Sequence, residues 1–492
     1  MQIYLAGYNI DADIIEDFKS QSPERKDITP ETLSASYARI SRDPRPINEL
    51  RQIARNEVEK ARKSNKNIIF NMGHHSVAEH AVFNLDIIDV SRYIIEEIEK
   101  FRLCSYTEKS QRYQKLEDDF IIPNEIKESE FENIFINEIR NQNALYHKMY
   151  EKLLNLVFAK HEDLAKDKKN HRTLEGWAKE DARYISSLAS YGQLGMTINA
   201  RSLEYLFRRF ASSPLKEVQE LGQEIYKLAK DVAPSIILFT EANDFDSFTY
   251  NDLSKLTKET ELTLTTHDNT VRLVDFDANG DNKLLASLLH KTSKCSYSKA
   301  IKIAQAMTAE TKLEFFKTAF SKMEFYDSVL REFEYVSLTF EVDISSAAFG
   351  QLKRHRMMTI SSQEYDPSLG ITLPESIKEI GMEGEFMNAI ENTNSLYYKL
   401  LKTNKLAAPY ILTNSHRKRS LLKVNARELY HICRLRQDQH SQWDIQNIAN
   451  KMSALAKEKM PLTFLLLCGK DTYCQEYEKI FNKRPKVAYL DQ

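Results

Sequence analysis

Three motifs recur in the same order along this chain. Glu79-His80-Ala81-Val82-Phe83 is echoed by Glu332-Phe333-Glu334-Tyr335-Val336. Lys100-Phe101-Arg102 followed by Ser110-Gln111-Arg112-Tyr113 is echoed by Arg354-His355-Arg356 followed by Ser362-Gln363-Glu364-Tyr365. Asn199-Ala200-Arg201-Ser202-Leu203 is echoed by Asn425-Ala426-Arg427-Glu428-Leu429. The offsets are 253 (79 to 332), 254 (102 to 356) and 226 (199 to 425), so the first copy holds about 28 extra residues between the second and third motifs. An ordered series of this kind marks a tandem duplication, in which each copy must build a core of the same design.

The length suits that reading, because 492 residues exceed what one core supports. The expected domains are 1–250 and 265–492, joined by the polar stretch Asp244–Thr266. Ile3–Leu5, Val82–Ile88 and Val271–Phe276 read as strands, Ile47–Lys63 as a helix, residues 125–180 as mostly helical with an exposed charged face, and Asn279-Gly280 as a turn. Sixty-nine basic against 71 acidic side chains give no global footprint for nucleic acid or anionic lipid. Five cysteines without a CxxC pair argue against a disulfide framework or zinc ribbon. No apolar run approaches a membrane span, and the opening MQIYLAGYNI lacks a signal-peptide pattern. The expectation is a soluble, cytoplasmic protein.

These motifs resemble the flavin-dependent thymidylate synthases, whose signature reads RHRxxSxNxxSxRY. The second copy keeps RHR at Arg354-His355-Arg356 but has Glu364 in place of the later arginine. The first copy keeps Ser105, Glu108, Ser110, Arg112 and Tyr113 but has Lys100-Phe101 where RH belongs. An upstream GHxSPxEH element is similar to Gly73–His80, and the downstream NAREL element is kept closely from Asn425 to Ile445. There Phe210 and Pro214 of the first copy align with Arg436 and His440, and Pro409 of the second aligns with Arg183.

The resemblance implies an α+β fold in two homologous domains, each a sheet packed with long helices. It implies reductive methylation of dUMP to dTMP, with FAD as cofactor, NADPH as reductant and methylenetetrahydrofolate as carbon donor, at hybrid sites drawing on both halves. Ser110, Arg112 and Arg436 are the implied catalytic residues. Glu108, Ser110, Arg112, Arg183, Gln351 and Arg436 would bind dUMP, whose phosphate suits arginine forks. His74, Ser76, Asn199, Arg354, His355, Arg356, Asn425 and His440 would bind FAD. No metal is implied. The expected assembly is a homodimer forming a pseudo-tetramer, with folate and dUMP as ligands and neither nucleic acid nor membrane as partner.

Other readings of the same residues are weaker. His75 to His80 spells HxxxEH, one residue too long for the HxxEH zinc pattern, and His80 reads as structural. Ser110 lacks a GxSxG elbow, which argues against a hydrolase nucleophile. Arg436 and His440 are expected to share a helix face, and Trp443 to be core. Since neither copy carries a complete signature, a non-catalytic or altered flavin- or nucleotide-binding protein is the alternative.

Overall fold

The computed structural model describes residues 1–11, 13–15, 29–40, 43–258 and 270–487. Two four-stranded antiparallel sheets of identical design emerge. In the first, β1 (Gln2–Tyr8), β2 (Val82–Ser91), β3 (Cys104–Glu108) and β4 (Tyr191–Asn199) lie in the order β1-β2-β4-β3. In the second, β5 (Val271–Phe276), β6 (Ser337–Ser345), β7 (Thr359–Tyr365) and β8 (Arg417–Asn425) lie in the order β5-β6-β8-β7. Period-two burial explains the strands: Leu338, Phe340, Val342 and Ile344 on β6, like Phe83, Leu85 and Ile87 on β2, put one face into the core. All three expected strands fall inside β1, β2 and β5.

The caps repeat as faithfully as the strands. Ser91 and Ser345 end their strands by capping the helices Arg92–Ile98 and Ser346–Leu352, each accepting a backbone N–H three residues on at 3.1 Å. Asn199 and Asn425 cap Ala200–Ala211 and Ala426–Arg436 in the same way, at 2.8 Å. Each serine is anchored by a buried carboxylate, Glu217 for Ser91 and Asp444 for Ser345.

Packing groups the described residues of 1–264 with 376–412 in one compact unit, and those of 265–375 with 413–492 in another. The boundaries 1–250 and 265–492 follow the sequence repeat instead, so residues 376–412 pack outside their own copy. In the first unit the 29-residue helix Glu132–Lys160 meets the helix Glu383–Thr403. Gln142 Nε2 donates to Thr393 Oγ1 at 2.8 Å, and Thr393 Oγ1 donates to Glu138 at 2.9 Å. The extra residues of the first copy lengthen this helix and add His171–Ala182, whose end carries Arg183.

Two local expectations are corrected. Ile47–Lys63 is two helices, Ile47–Asn56 and Val58–Lys66, because Glu57 leaves the helical region at φ −126° and ψ 55°. Asp244–Lys258, taken as connection, is helical; Asn243 caps it by accepting from Asp246 N at 2.7 Å, and Asp244 and Asp246 suit the positive helix end. The rest of that stretch lies outside the described residues. The turn expected at Asn279-Gly280 is present: Gly280 N donates to Asp277 O at 2.9 Å, and Asn279, left-handed at φ 64°, leads directly into the helix Gly280–Thr292, where a Cβ on Gly280 would run into Met460 Sδ.

Ladder register also refines the repeat. Val82 opposite Asn199 and Ser337 opposite Asn425 fix an offset of 255 (82 to 337), so Glu79 corresponds to Glu334 and not to Glu332. Both glutamates pair with the arginine of the NAR motif, Arg201 at 2.6 Å and Arg427 at 3.1 Å. A bulge at Asp89, φ 58°, then removes one residue from the offset, giving 254 from Ser91 to Ser345. On β3 and β7, Glu108 and Ser362 occupy matching rungs, so Ser110 is not the counterpart of Ser362.

Among the described residues, no helix is long and apolar enough to cross a membrane.

Candidate functional site

In the first unit a cleft open to solvent is lined by Arg92, Glu108, Ser110, Tyr146, Arg183 and Gly192, among others. Arg92 opens its helix and is buried between Glu96 at 3.5 Å and Glu108 at 4.0 Å. Arg183 is buried at the end of His171–Ala182, and burial pulls its pKa downward, against the opposing effect of Glu180. Arg112 is ion-paired with Glu180 and lies near the Tyr113 ring, at 5.6 Å. The Ser110 hydroxyl accepts Arg112 N at 3.2 Å, closing the turn that follows β3. Tyr146 is pushed up to about 12 by burial. Glu108, Ser110 and Arg183 thus line one cleft, with Arg112 next to it through Glu180. The lining balances Arg92, Lys109, Lys115 and Arg183 against Asp89, Glu108, Glu117 and Asp119, and its arginine donors are of the kind that bind a compact dianion.

Gly192 lines that cleft, and a Cβ there would run into Ile95 Cδ1. Its counterpart on the second sheet, 226 residues on, is Lys418, whose ammonium stands 3.4 Å from the Phe349 ring centre and 4.5 Å from Tyr365. Arg92 corresponds to Ser346, an offset of 254. Sequence reasoning missed Arg92 and Glu96. Their signal was present: two charged residues in a short run that is otherwise apolar, Arg92-Tyr93-Ile94-Ile95-Glu96, directly after a capping serine.

His74 and Ser76 sit at the start of the turn-like helix His75–His80, both exposed. His80 packs its ring on Tyr37 at 4.5 Å and accepts Asn9 Nδ2 through its backbone oxygen. Asn199 and Asn425 commit their side-chain oxygens to helix capping.

In the second unit, Gln351, His355 and Arg436 converge. Arg436 Nε donates to His355 Nε2 at 2.9 Å, and its Nη2 donates to the Gln351 carbonyl at 2.9 Å. His355 is only 2% exposed. Burial pushes its pKa well below the usual histidine range, and the neighbouring Arg436 and His431 add to the effect. The ring is therefore neutral at pH 7. Arg354 and Arg356 flank it with exposed guanidiniums. Gln351 is buried, and its side-chain Nε2 has no hydrogen-bond partner. An orphaned buried donor beside exposed cations fits an acceptor-rich anionic ligand, as both a nucleotide and a dinucleotide cofactor are. His440 does not share the helix face of Arg436. The helix ends at Arg436, and Asp438 turns the chain by accepting His440 N at 2.9 Å.

The corresponding place in the first unit holds no such network. Phe101, Ser202, Tyr205 and Phe210 stand where His355, Glu428, His431 and Arg436 stand in the second, at offsets of 254, 226, 226 and 226. Phe101 packs edge-on to Tyr205 and Phe210 at 5.5 and 5.8 Å. A polar cluster in one copy is an aromatic cluster in the other.

Among the described residues, no group of three or more His, Cys, Asp or Glu side chains is arranged to hold a metal ion.

The sequence model of the thymidylate synthase complementing protein family, Thy1, matches this chain twice, over residues 26–235 and 273–462. A flavin-dependent thymidylate synthase of Clostridium tetani is 32% identical over 216 residues, covering 43% of this chain and 82% of that protein. A UPF0159 protein of Thermoplasma acidophilum is 22% identical over 479 residues, covering 85% of this chain and 91% of that protein. Among solved structures, thymidylate synthase X of Helicobacter pylori with FAD and dUMP covers 48% of this chain and 99% of its own, at 18% identity and a TM-score of 0.29. With two family matches that together take in most of its length, and an α+β sheet design repeated beneath them, this chain belongs to the flavin-dependent thymidylate synthase family, Thy1.

Proposed function

We propose that this protein is an active thymidylate synthase that methylates dUMP reductively to dTMP, using FAD, NADPH and methylenetetrahydrofolate. The observation that carries the reading is complementarity. The first copy retains Glu108, Ser110 and Arg183 in a cleft, with Arg112 next to it on Glu180, and the second retains Gln351, Arg354, His355, Arg356 and Arg436. Together they make one set per chain, and the chain works as a homodimer in which each site draws on both copies.

In this reading Arg112, Arg183 and Arg436 bind the dUMP phosphate and the pyrimidine oxygens, where negative charge must be held to make C5 nucleophilic. Glu108 and Ser110 orient the base, and the Gln351 side-chain amide donates to it. Arg354, His355 and Arg356 hold FAD, with help from His74, Ser76, His440 and the two capping asparagines. The bound flavin supplies the hydride chemistry. Five free cysteines among the described residues support a reducing, cytoplasmic setting.

The alternative, a flavin- or nucleotide-binding protein without turnover, is favoured by one observation: neither copy carries a complete signature. One experiment separates them. Purified protein loaded with FAD is given NADPH, methylenetetrahydrofolate and dUMP, and dTMP is measured. Formation of dTMP dependent on all three supports the enzyme; dUMP binding with no dTMP supports the alternative.

A further inference from the structure

The bond between Arg436 and His355 carries information about a proton. Arginine offers only N–H donors, so His355 Nε2 must be the bare nitrogen, and the neutral ring holds its proton on Nδ1. That Nδ1 faces Glu428 Oε1 at 3.6 Å. Both atoms are buried, and neither has a hydrogen-bond partner. Two orphans facing each other just beyond hydrogen-bond reach are a polar pair that a small closure completes.

We propose that Glu428 is a positioning residue for Arg436: its carboxylate fixes the proton on His355 Nδ1, keeps Nε2 an acceptor, and so holds the guanidinium in the orientation that meets the anionic ligand. Were the proton on Nε2, a donor would face the Arg436 donor and the guanidinium would keep only the Gln351 carbonyl as anchor. A carboxylate behind a functional imidazole sets its tautomer in the same manner in many sites.

A second observation points the same way. The ordinary use of a glutamate at the third helical position is to reach back to the capping N–H. Glu428 makes no such bond, because Asn425 lies in the β8 ladder opposite Ser337. Its counterpart, Ser202, keeps the identical cap bond from its backbone N–H to Asn199. The glutamate is therefore not needed for the helix. It is absent from the copy in which His355 and Arg436 are replaced by Phe101 and Phe210, and present where they remain.

This inference rests on the reading that Arg436 binds dUMP, so the test keeps the two apart. Full-length, FAD-loaded protein is compared as wild type, Arg436→Ala, Glu428→Ala and Glu428→Gln, by dUMP titration and by nitrogen NMR of ring-labelled histidine. Arg436→Ala should weaken dUMP binding by at least tenfold, and Glu428→Ala about tenfold, one charge-assisted hydrogen bond. Glu428→Gln keeps an oxygen able to accept Nδ1–H and should stay within about threefold of wild type. His355 should show the Nδ1–H form in wild type and Glu428→Gln, and lose it in Glu428→Ala. If Arg436→Ala weakens dUMP binding but Glu428→Ala does not, the positioning role is overturned while the reading of Arg436 stands. If Arg436→Ala leaves affinity unchanged, the reading fails, and an unchanged tautomer in Glu428→Ala overturns the positioning role as well.

Discussion

Replacing His355 with phenylalanine should destabilise the second unit, and completing the replacement should largely restore it. The single change removes the acceptor of Arg436 Nε and leaves the buried Glu428 Oε1 facing an apolar ring. A hydrogen bond to a charged group contributes about 1.5–3 kcal/mol, and Arg436, half-buried, recovers part of that from water. Glu428 Oε1 already lacks a hydrogen-bond partner, so the loss of its polar neighbour adds less than that. The net loss is then about 1–3 kcal/mol, or a fall in Tm on the order of 2–12 °C for a unit of this size. The combined variant His355→Phe, Glu428→Ser, His431→Tyr, Arg436→Phe installs the residues that already pack as Phe101, Ser202, Tyr205 and Phe210. Exchanging a buried polar network for apolar residues that fit is often neutral, so the four changes together should lie within about 1 kcal/mol of wild type. Thermal denaturation of the five proteins, four singles and the combination, checks this. A combined loss equal to the sum of the four single losses would refute the claim that the two clusters are alternative solutions to one packing problem.

Three further outcomes follow from particular contacts. His416 is fully buried and accepts Thr413 N at 2.9 Å, and burial lowers its pKa to about 4. A depressed folded value means that stability is full above the unfolded value of ~6.5 and is lost as pH falls towards 4, by on the order of 3 kcal/mol; His416→Asn, which keeps an acceptor for Thr413 N but does not titrate, should flatten that part of the stability–pH curve. Gly280→Ala should cost about 1–3 kcal/mol through collision with Met460, and much less in a Met460→Ala background, as a double-mutant cycle by urea denaturation would measure. Glu217→Ala should cost about 2–4 kcal/mol, because Ser91 N, Ser91 Oγ and Tyr410 Oη all donate to that buried carboxylate; a Tm within 2 °C of wild type would show that water replaces it.

The sequence made the repeat legible because capping residues and strand alternation are local signals: Ser91 and Ser345, Asn199 and Asn425 end strands and start helices in both copies. Register was harder. One residue of bulge at Asp89 moved the offset between motifs, and similarity alone slipped Glu79 onto Glu332. Helix partnership was not legible at all, since an apolar stripe on Glu383–Thr403 says that it packs but not against what. For the site, Arg436 and His355 were visible as motif members, whereas their direct bond, and Glu428 behind it, needed three dimensions. His440 was misplaced because Asp438 competes for backbone N–H groups where helical spacing alone would continue the helix.

If the two copies supply one working set of residues per chain, each chain binds a single flavin. Protein stripped of flavin is titrated with FAD, followed by flavin fluorescence and by equilibrium dialysis, with dUMP present. One FAD and one dUMP per chain, with dUMP-dependent oxidation of NADPH on reconstitution, is the expected outcome. Two FAD per chain would contradict it, because the copy with Phe101 and Phe210 would then bind flavin without the residues held responsible, and no binding at all would contradict it too.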